Sequence, residues 1–261
     1  MPLVASSTPN LAAVGSIPTT HVQMLNMHVF YIATGDQYTK YLTVSYESLR
    51  RWGYTGPVTV LTDMITPIDA DGAIIKRVDI ASGEFTNRIL KASLDKYACP
   101  DINLFIDCDT MITNPIDPIF DMLHGNDIAM GLDVWNNMES SYDAFLERDL
   151  ISKEEADETL NLVGKSTLHY NSGVILFRKT QKLEQLFEAW RAEWERYRSR
   201  DQWALCRALF KTKTKVRRLP YRYNFHRRLT RPKVATKHRI VIMHFLGIHG
   251  KERWNTKVVN G

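Results

Sequence analysis

Hydrophobic positions fall into two periods along this chain, and the alternation between them predicts its elements. His28–Thr34 is a short apolar run rich in branched and aromatic residues, which predicts a buried strand. Tyr38–Trp52 changes period. Its apolar or aromatic residues at 38, 41, 42, 46, 49 and 52 share one face of a helix that Gly53 can close. Pro57–Leu61 and Ala73–Ile80 read as the next strands, and Phe85–Ala98 returns to helical spacing through Phe85, Ile89, Leu90, Leu94 and Tyr97. Ile102–Ile106, Asp127–Leu132 and Gly173–Phe177 are strand-like again. A longer helix is expected over Gln181–Arg198, with Trp190 and Trp194 among its packed residues, and Arg239–Phe245 gives a last strand.

Strands alternating with helices predict an α/β domain with a mostly parallel central sheet flanked by helices. In such sheets ligands bind beyond the carboxyl ends of the strands. No internal repeat and no Pro/Gly/Ser linker divides the chain, so residues 21–261 read as a single domain. Residues 1–20 read as a loosely ordered tail. No charged residue precedes Asp36, and the longest apolar stretch there, Leu11–Val14, is too short for a signal peptide.

Composition then narrows the class. With 44% hydrophobic and 24% charged residues, global disorder is excluded. No apolar run reaches the roughly 18 residues that a membrane-spanning helix requires. The three cysteines (Cys99, Cys108, Cys206) show no CxxC spacing, which argues against a disulfide scaffold or a structural zinc and suits a reducing cytosol. Charge is unevenly placed. Residues 211–239 carry five Lys and seven Arg with no acid, so a net +5 leaves −7 for the rest of the chain. That segment asks for an anionic neighbour. It lacks an RNA-binding signature, although Tyr221, Tyr223 and Phe225 interleave with its cations, so nucleic acid is not the expected partner. A solvated face is one reading. The other is the acceptor side of an active site serving an anionic or membrane-linked acceptor, with the protein cytoplasmic and peripheral to the membrane.

The strongest local signal is LFIDCDT, Leu104 to Thr110. Strand alternation would put Asp107 and Asp109 on one side and Cys108 on the other. Two carboxylates at the end of an apolar strand repel each other and resist desolvation, and a divalent cation relieves both difficulties; oxygen ligands suit Mg²⁺ or Mn²⁺. The alternative is a pair of aspartates that cap the strand and bond a turn. His244 closes the strand RIVIMHF, with Gly247 and Lys251 behind it, a set able to approach and neutralise a phosphate. Other motifs fail: GxGxxG and HExxH are absent, and Gly164-Lys165-Ser166 lacks the glycine of a phosphate loop because Thr159 stands there.

In order along Met27 to Trp254, these elements resemble the nucleotide-sugar-dependent glycosyltransferases of the GT-A fold, most closely the family-eight type that includes glycogenin and bacterial galactosyltransferases. YIATGDQY resembles the family's nucleoside loop, which implies base and ribose contacts from Thr34, Asp36 and Tyr38, with Gly35 altering the spacing. Arg88 and Lys91 fit the Arg and Lys of the helix before the metal strand, on the nucleotide and phosphate side. Asp107-Cys108-Asp109 matches DxD, and ITNPIDPIF resembles the family's stretch after DxD, including a short helix at Asp117–Leu123. HYNSGVILF resembles the NSGV element, implying donor-sugar contacts from Asn171 and Ser172. RDQWAL resembles the DQ element, implying catalytic roles for Asp201 and Gln202 beside the reacting carbon. Tyr223-Asn224 resembles a Tyr/Trp–Asn pair before the last strand, and HFLGIHGKERW resembles HFxGxxKPW, with His244 the third metal ligand and Gly247 and Lys251 on the phosphates. Here Lys251 lies four residues after Gly247 rather than three, and Glu252-Arg253 replaces the proline. Asp133, which ends the GLD run, is not counted in the set.

The resemblance implies a GT-A, Rossmann-like fold. It also implies metal-dependent transfer of a hexose from a UDP-sugar to a hydroxyl acceptor, with retention at the anomeric carbon. Two other readings of the residues stand beside it. LFIDCDT also resembles the start of haloacid-dehalogenase-type phosphatases, although that motif stands on a first strand and Thr110 occupies its glycine position. A non-catalytic nucleotide- or anion-binding protein of the same fold is the other.

Overall fold

The computed structural model describes residues 27–226 and 239–245. In chain order they form β1 (Met27–Ile32), α1 (Asp36–Arg51), β2 (Val58–Thr62), β3 (Ile74–Arg77), α2 (Thr86–Lys91), a 3-10 turn at Leu94–Lys96, β4 (Ile102–Ile106) and β5 (Thr110–Ile112). A 3-10 helix at Asp117–Leu123 leads to β6 (Ile128–Asn137), α3 (Met138–Leu146), α4 (Lys153–Val163), β7 (Leu168–Arg178), α5 (Gln181–Tyr197) and α6 (Asp201–Thr212). The last elements are β8 (Val216–Arg218), a 3-10 turn at Tyr221–Tyr223, β9 (Phe225–His226) and β10 (Ile242–His244).

Seven strands make the central sheet in the order β3-β2-β1-β4-β7-β6-β8. β7 alone runs against its neighbours β4 and β6, and the other pairings are parallel. The carboxyl ends of β1, β4 and β6 therefore gather at one edge, together with the amino half of β7. A second sheet, β5-β10-β9, stands at that edge.

Burial explains why these strands form. Alternate residues of β1 go to opposite faces: Val29 and Tyr31 pack with Leu42 and Leu49 of α1, while Phe30 and Ile32 pack with the layer that holds α5 and α6. Leu183, Leu186, Phe187, Trp190 and Trp194 of α5 are all buried there, and each such side chain contributes roughly 1.5–3 kcal/mol. A third cluster joins α3, α4 and α6 through Met138, Phe145, Ala156, Val163 and Trp203. Among the described residues no helix is long and apolar enough to cross a membrane.

The α/β architecture with helices on both faces is the one expected, and individual elements differ. The helix expected over Phe85–Ala98 stops at Lys91. Arg191 Nη1 donates to the Ala92 carbonyl at 2.9 Å and to Asp95 at 2.6 Å, and these contacts hold the chain out of the helical ladder. β6 and β7 run further than their apolar stretches because polar residues continue the ladder past Met130, through register shifts. Only Ile242–His244 of the expected last strand is paired. The segments 1–26, 227–238 and 246–261 lie outside the described residues, and with them fall the expected tail and much of the basic 211–239 stretch.

Candidate active site

β4 ends at Ile106, and Asp107–Asp109 form a turn before β5 rather than continuing the strand. The Asp107 N–H donates to the Gly173 carbonyl at 2.8 Å, and Thr110 Oγ1 donates to the Asp107 carbonyl at 2.8 Å. Cys108 Sγ points into the core and donates to the Ile32 carbonyl at 3.1 Å, so turn geometry, not strand alternation, brings the two aspartates together. β10 pairs antiparallel with β5 in a register that sets His244 opposite Thr110, and the Phe245 N–H donates to the Asp109 carbonyl at 2.9 Å. His244 Nε2 lies 3.2 Å from Asp109 Oδ1 and 3.9 Å from Asp107 Oδ2.

One ligand atom from each of Asp107, Asp109 and His244 falls within 4.8 Å of the others. A chain of amides fixes the imidazole. Asn224 Nδ2 donates to Asn171 Oδ1 at 2.9 Å, which leaves Asn224 Oδ1 to accept from His244 Nδ1, also at 2.9 Å. With Nδ1 committed to Asn224, Nε2 is the nitrogen that faces the carboxylates. That donor set, two hard oxygens and an oriented imidazole nitrogen, fits a divalent cation. Gly173 makes room for the ring: a Cβ there would sit 2.2 Å from His244 Cε1 and 2.9 Å from Asn171 Oδ1. Gly173→Ala is expected to destabilise the fold by about 1–3 kcal/mol through this overlap. A thermal melt reads it, and an unchanged melting temperature would show that the ring can step aside.

Charge is balanced pairwise around this turn. Lys91, buried on α2, places Nζ 2.8 Å from Asp107 Oδ1 and 3.6 Å from Asp201 Oδ2. Burial alone would lower its pKa, but the two aspartates together raise it, so the ammonium stays charged. Burial pushes Asp107 up, with Lys91 opposing and Asp109 adding to the push. Asp201 also meets a burial penalty, yet Lys91 and the Ser172 hydroxyl, which donates to it at 2.7 Å, hold it below the usual range. Asp133 is similar. Against burial, His169 and the amides of Asn171 and Gln202, donating at 2.9 and 2.8 Å, keep it ionised. Burial lowers His244, but Asp109 outweighs it and the net shift is upward. Beside it His226, its ring 5.3 Å away, is lowered to about 3 by burial and then by His244.

The structure brings Lys91, Asp107, Asp109, Asn171, Ser172, Asp201, Gln202 and His244 to one edge of the sheet. Thr34, Asp36 and Tyr38 stand beyond the carboxyl end of β1. Thr34 is buried and donates to Asn87 Oδ1 at 2.9 Å; Asp36 opens α1, and Tyr38 is exposed. Gly35, the residue that alters the spacing, adopts φ 80° and donates to Thr66 Oγ1 at 2.7 Å, a left-handed conformation that favours glycine. Arg88 donates to the Ser199 carbonyl at 2.9 Å. Gly247 and Lys251 lie outside the described residues. Sequence reasoning missed three members: Asp133, which accepts from both Asn171 and Gln202, and Gly173 and His226, which flank the imidazole. An acid ending an apolar strand run was the available signal for Asp133.

A model of the family described as nucleotide-diphospho-sugar transferase matches residues 103–257. The chain belongs to that family. The matched span contains the DxD turn, the NSGV and DQ elements and His244. Among solved structures this transferase is similar to the galactosyltransferase LgtC in complex with donor and acceptor sugar analogues. The identity is 18% and the TM-score 0.59, over 85% of this chain and 87% of that one. The bifunctional glycosyltransferase WbbM is similar at 15% identity and TM-score 0.59, over 87% of this chain and 47% of that one. Mouse xyloside xylosyltransferase 1 is similar at 13% identity and TM-score 0.55, over 84% of this chain and 97% of that one. These likenesses carry the GT-A fold. No curated protein sequence matches the chain. The transferase is thus a family-eight-like, GT-A nucleotide-sugar glycosyltransferase, with a candidate metal site at Asp107, Asp109 and His244.

Proposed function

We propose that this transferase moves a hexose from a UDP-sugar to a hydroxyl acceptor, with retention at the anomeric carbon, and depends on Mn²⁺ or Mg²⁺ held by Asp107, Asp109 and His244. The observation that carries the reading is the convergence of those three ligand atoms within 4.8 Å, with the imidazole tautomer set by Asn224. A cation there would offset the charge that builds on the diphosphate as the sugar–phosphate bond breaks. A galactosyltransferase and a xylosyltransferase of the same fold support the transfer of a monosaccharide.

The remaining roles follow from the family resemblance, with the contacts above as support for those residues that are described. Lys91 holds Asp107 in place. Thr34, Asp36 and Tyr38 would contact the nucleoside, and Arg88, Gly247 and Lys251 the phosphates. Asn171 and Ser172 line the donor-sugar side, where Asp201, oriented by Ser172, would bond a sugar hydroxyl. Gln202 is held by Asp133 and by the Tyr170 carbonyl at 3.3 Å, so its amide oxygen is free to face the cationic reacting carbon. The bond from the anomeric carbon to the phosphate breaks, the acceptor oxygen bonds the same face, and its proton leaves on the departing UDP.

Thermal denaturation against nucleoside diphosphates, with and without Mn²⁺, tests the proposal. UDP at 100 times its dissociation constant should add about 2.7 kcal/mol, a shift of several degrees, only when the metal is present. An equal shift in chelator would remove the metal from the reading. No shift with any nucleotide would remove the donor site altogether.

A further inference from the structure

The three cysteines differ in what surrounds them. Cys108 and Cys206 are buried, and their thiols donate to the Ile32 carbonyl and to Met138 Sδ. Cys99 alone is half-buried, and its Sγ lies 3.2 Å from His28 Nδ1. His28 Nε2 in turn lies 2.7 Å from Thr59 Oγ1. Cys99 precedes β4, and His28 and Thr59 sit near the amino ends of β1 and β2. This thiol–imidazole–hydroxyl chain is therefore at the end of the sheet opposite the DxD turn. Other side chains hold it in place. Asn103 Oδ1 accepts from the Cys99 N–H at 2.8 Å and Asn103 Nδ2 donates to the Cys99 carbonyl at 3.0 Å, while the His28 ring stacks on Phe30 with centroids 4.6 Å apart.

A thiol attacks as its thiolate. Burial and then Asp101 push the Cys99 thiol up, against the pull of Lys179 and Lys76, so it rests protonated and needs a base to react. Burial holds His28 below the ordinary histidine range, so its imidazole is neutral near pH 7 and able to accept that proton. The tautomer in which Nε2 donates to Thr59 leaves Nδ1 to accept from the thiol. Charge around the sulfur is also uneven. Lys76 Nζ lies 5.0 Å over the ring of Tyr97, two residues before Cys99, and Lys179 follows Arg178, which pairs with Ile102 at the start of β4. Two lysines against the single Asp101 favour an anionic reactant.

We propose that Cys99, with His28 as its base, is a thiol–disulfide exchange site for small anionic disulfides of the glutathione type. The Cys99 sulfur bonds one sulfur of the disulfide and the old S–S bond breaks. His28 takes the Cys99 proton and passes it to the departing thiolate. The products are a mixed disulfide on Cys99 and one free thiol. The donor-site reading plays no part in this inference.

Timed reaction of the native protein with oxidised glutathione, read by intact mass and peptide mapping, tests it. At pH 7 Cys99 should be modified about tenfold or more faster than the same residue in the urea-unfolded chain, while Cys108 and Cys206 stay unmodified. His28→Gln should remove that acceleration, and Thr59→Val should reduce it. Lys76→Gln combined with Lys179→Gln should slow oxidised glutathione about threefold or more and leave the neutral 2-hydroxyethyl disulfide unchanged. Native Cys99 reacting no faster than unfolded Cys99 would show a structural thiol and overturns the proposal, as does an acceleration that survives in folded His28→Gln. Equal slowing of both disulfides, or of neither, by the lysine substitutions overturns the anionic preference. If His28→Gln does not fold, the native-to-unfolded ratio of the wild type and the lysine variant still decide.

Discussion

Asp109→Asn is expected to lower donor-dependent transfer by about 10²-fold or more while the protein still folds. Its neighbours show why. Asp109 Oδ1 is the carboxylate oxygen nearest His244 Nε2, at 3.2 Å, and the Asp109 backbone carbonyl, which the substitution keeps, is what pairs with Phe245. Asparagine preserves the volume and the turn. It removes the negative charge that, with Asp107, attracts a cation and that raises the pKa of His244. Without bound metal the wild-type turn holds two partly buried carboxylates that repel each other, so the variant should melt within about 1 kcal/mol of wild type. The decisive measurements are hydrolysis of UDP-sugars at saturating Mn²⁺ and the Mn²⁺-dependent thermal shift with UDP. Both should collapse together. Full turnover in Asp109→Asn would show that the DxD carboxylates cap a strand and do not hold a catalytic cation.

Strands buried on both faces were the easiest elements to read, because β1, β2 and β4 have almost no solvent side, and their few polar residues, His28, Thr59, Thr62 and Asn103, are buried and hydrogen-bonded inside. Functional or buried polar residues hid the rest. The first half of β7 carries His169 and the Asn171 and Ser172 of the site, and its apolar run starts only at Gly173. α4 shows little helical periodicity because two of its buried residues, Glu155 and Thr159, are polar: both hold the guanidinium of Arg207 on α6. α2 ends early through contacts with Arg191, about one hundred residues away, which no local window contains. Within the site, residue types and order were legible, and partnership was not. Asp133, Asn171, Gln202, Asn224 and His244 form a continuous hydrogen-bonded path drawn from four elements and one turn. Periodicity can place each at a strand or helix end, but it carries no sign that Asp133 serves two amides at once.

Arg207→Ala is expected to destabilise the fold by about 3–5 kcal/mol, the range for breaking a buried charge network by removing one partner. Arg207 is fully buried, and its guanidinium donates to Glu193 Oε2 at 2.9 Å, the Glu193 carbonyl at 3.1 Å, Glu155 Oε1 at 3.0 Å and Thr159 Oγ1 at 2.7 Å. Lys211 and Arg196 also bond Glu193, and Ser199 bonds Glu155, so one cation knits α4, α5 and α6 to the turn that presents Asp201. Truncation would leave Glu155 buried with no cationic partner. For a domain of this size the change corresponds to a fall in melting temperature of roughly 10 °C. Acid should shrink the difference. Burial raises the Glu193 pKa, but bonds from Lys211, Arg196 and Arg207 prevail and lower it, so the stability this carboxylate contributes is present above its unfolded pKa and is lost as pH falls through the folded one. Wild type and variant should therefore differ most near pH 7 and converge in acid, as Glu193 takes up its proton below the ordinary glutamate range. A melting difference under about 2 °C at pH 7, or one that does not change with acid, would show that Lys211 and Arg196 carry the network without Arg207.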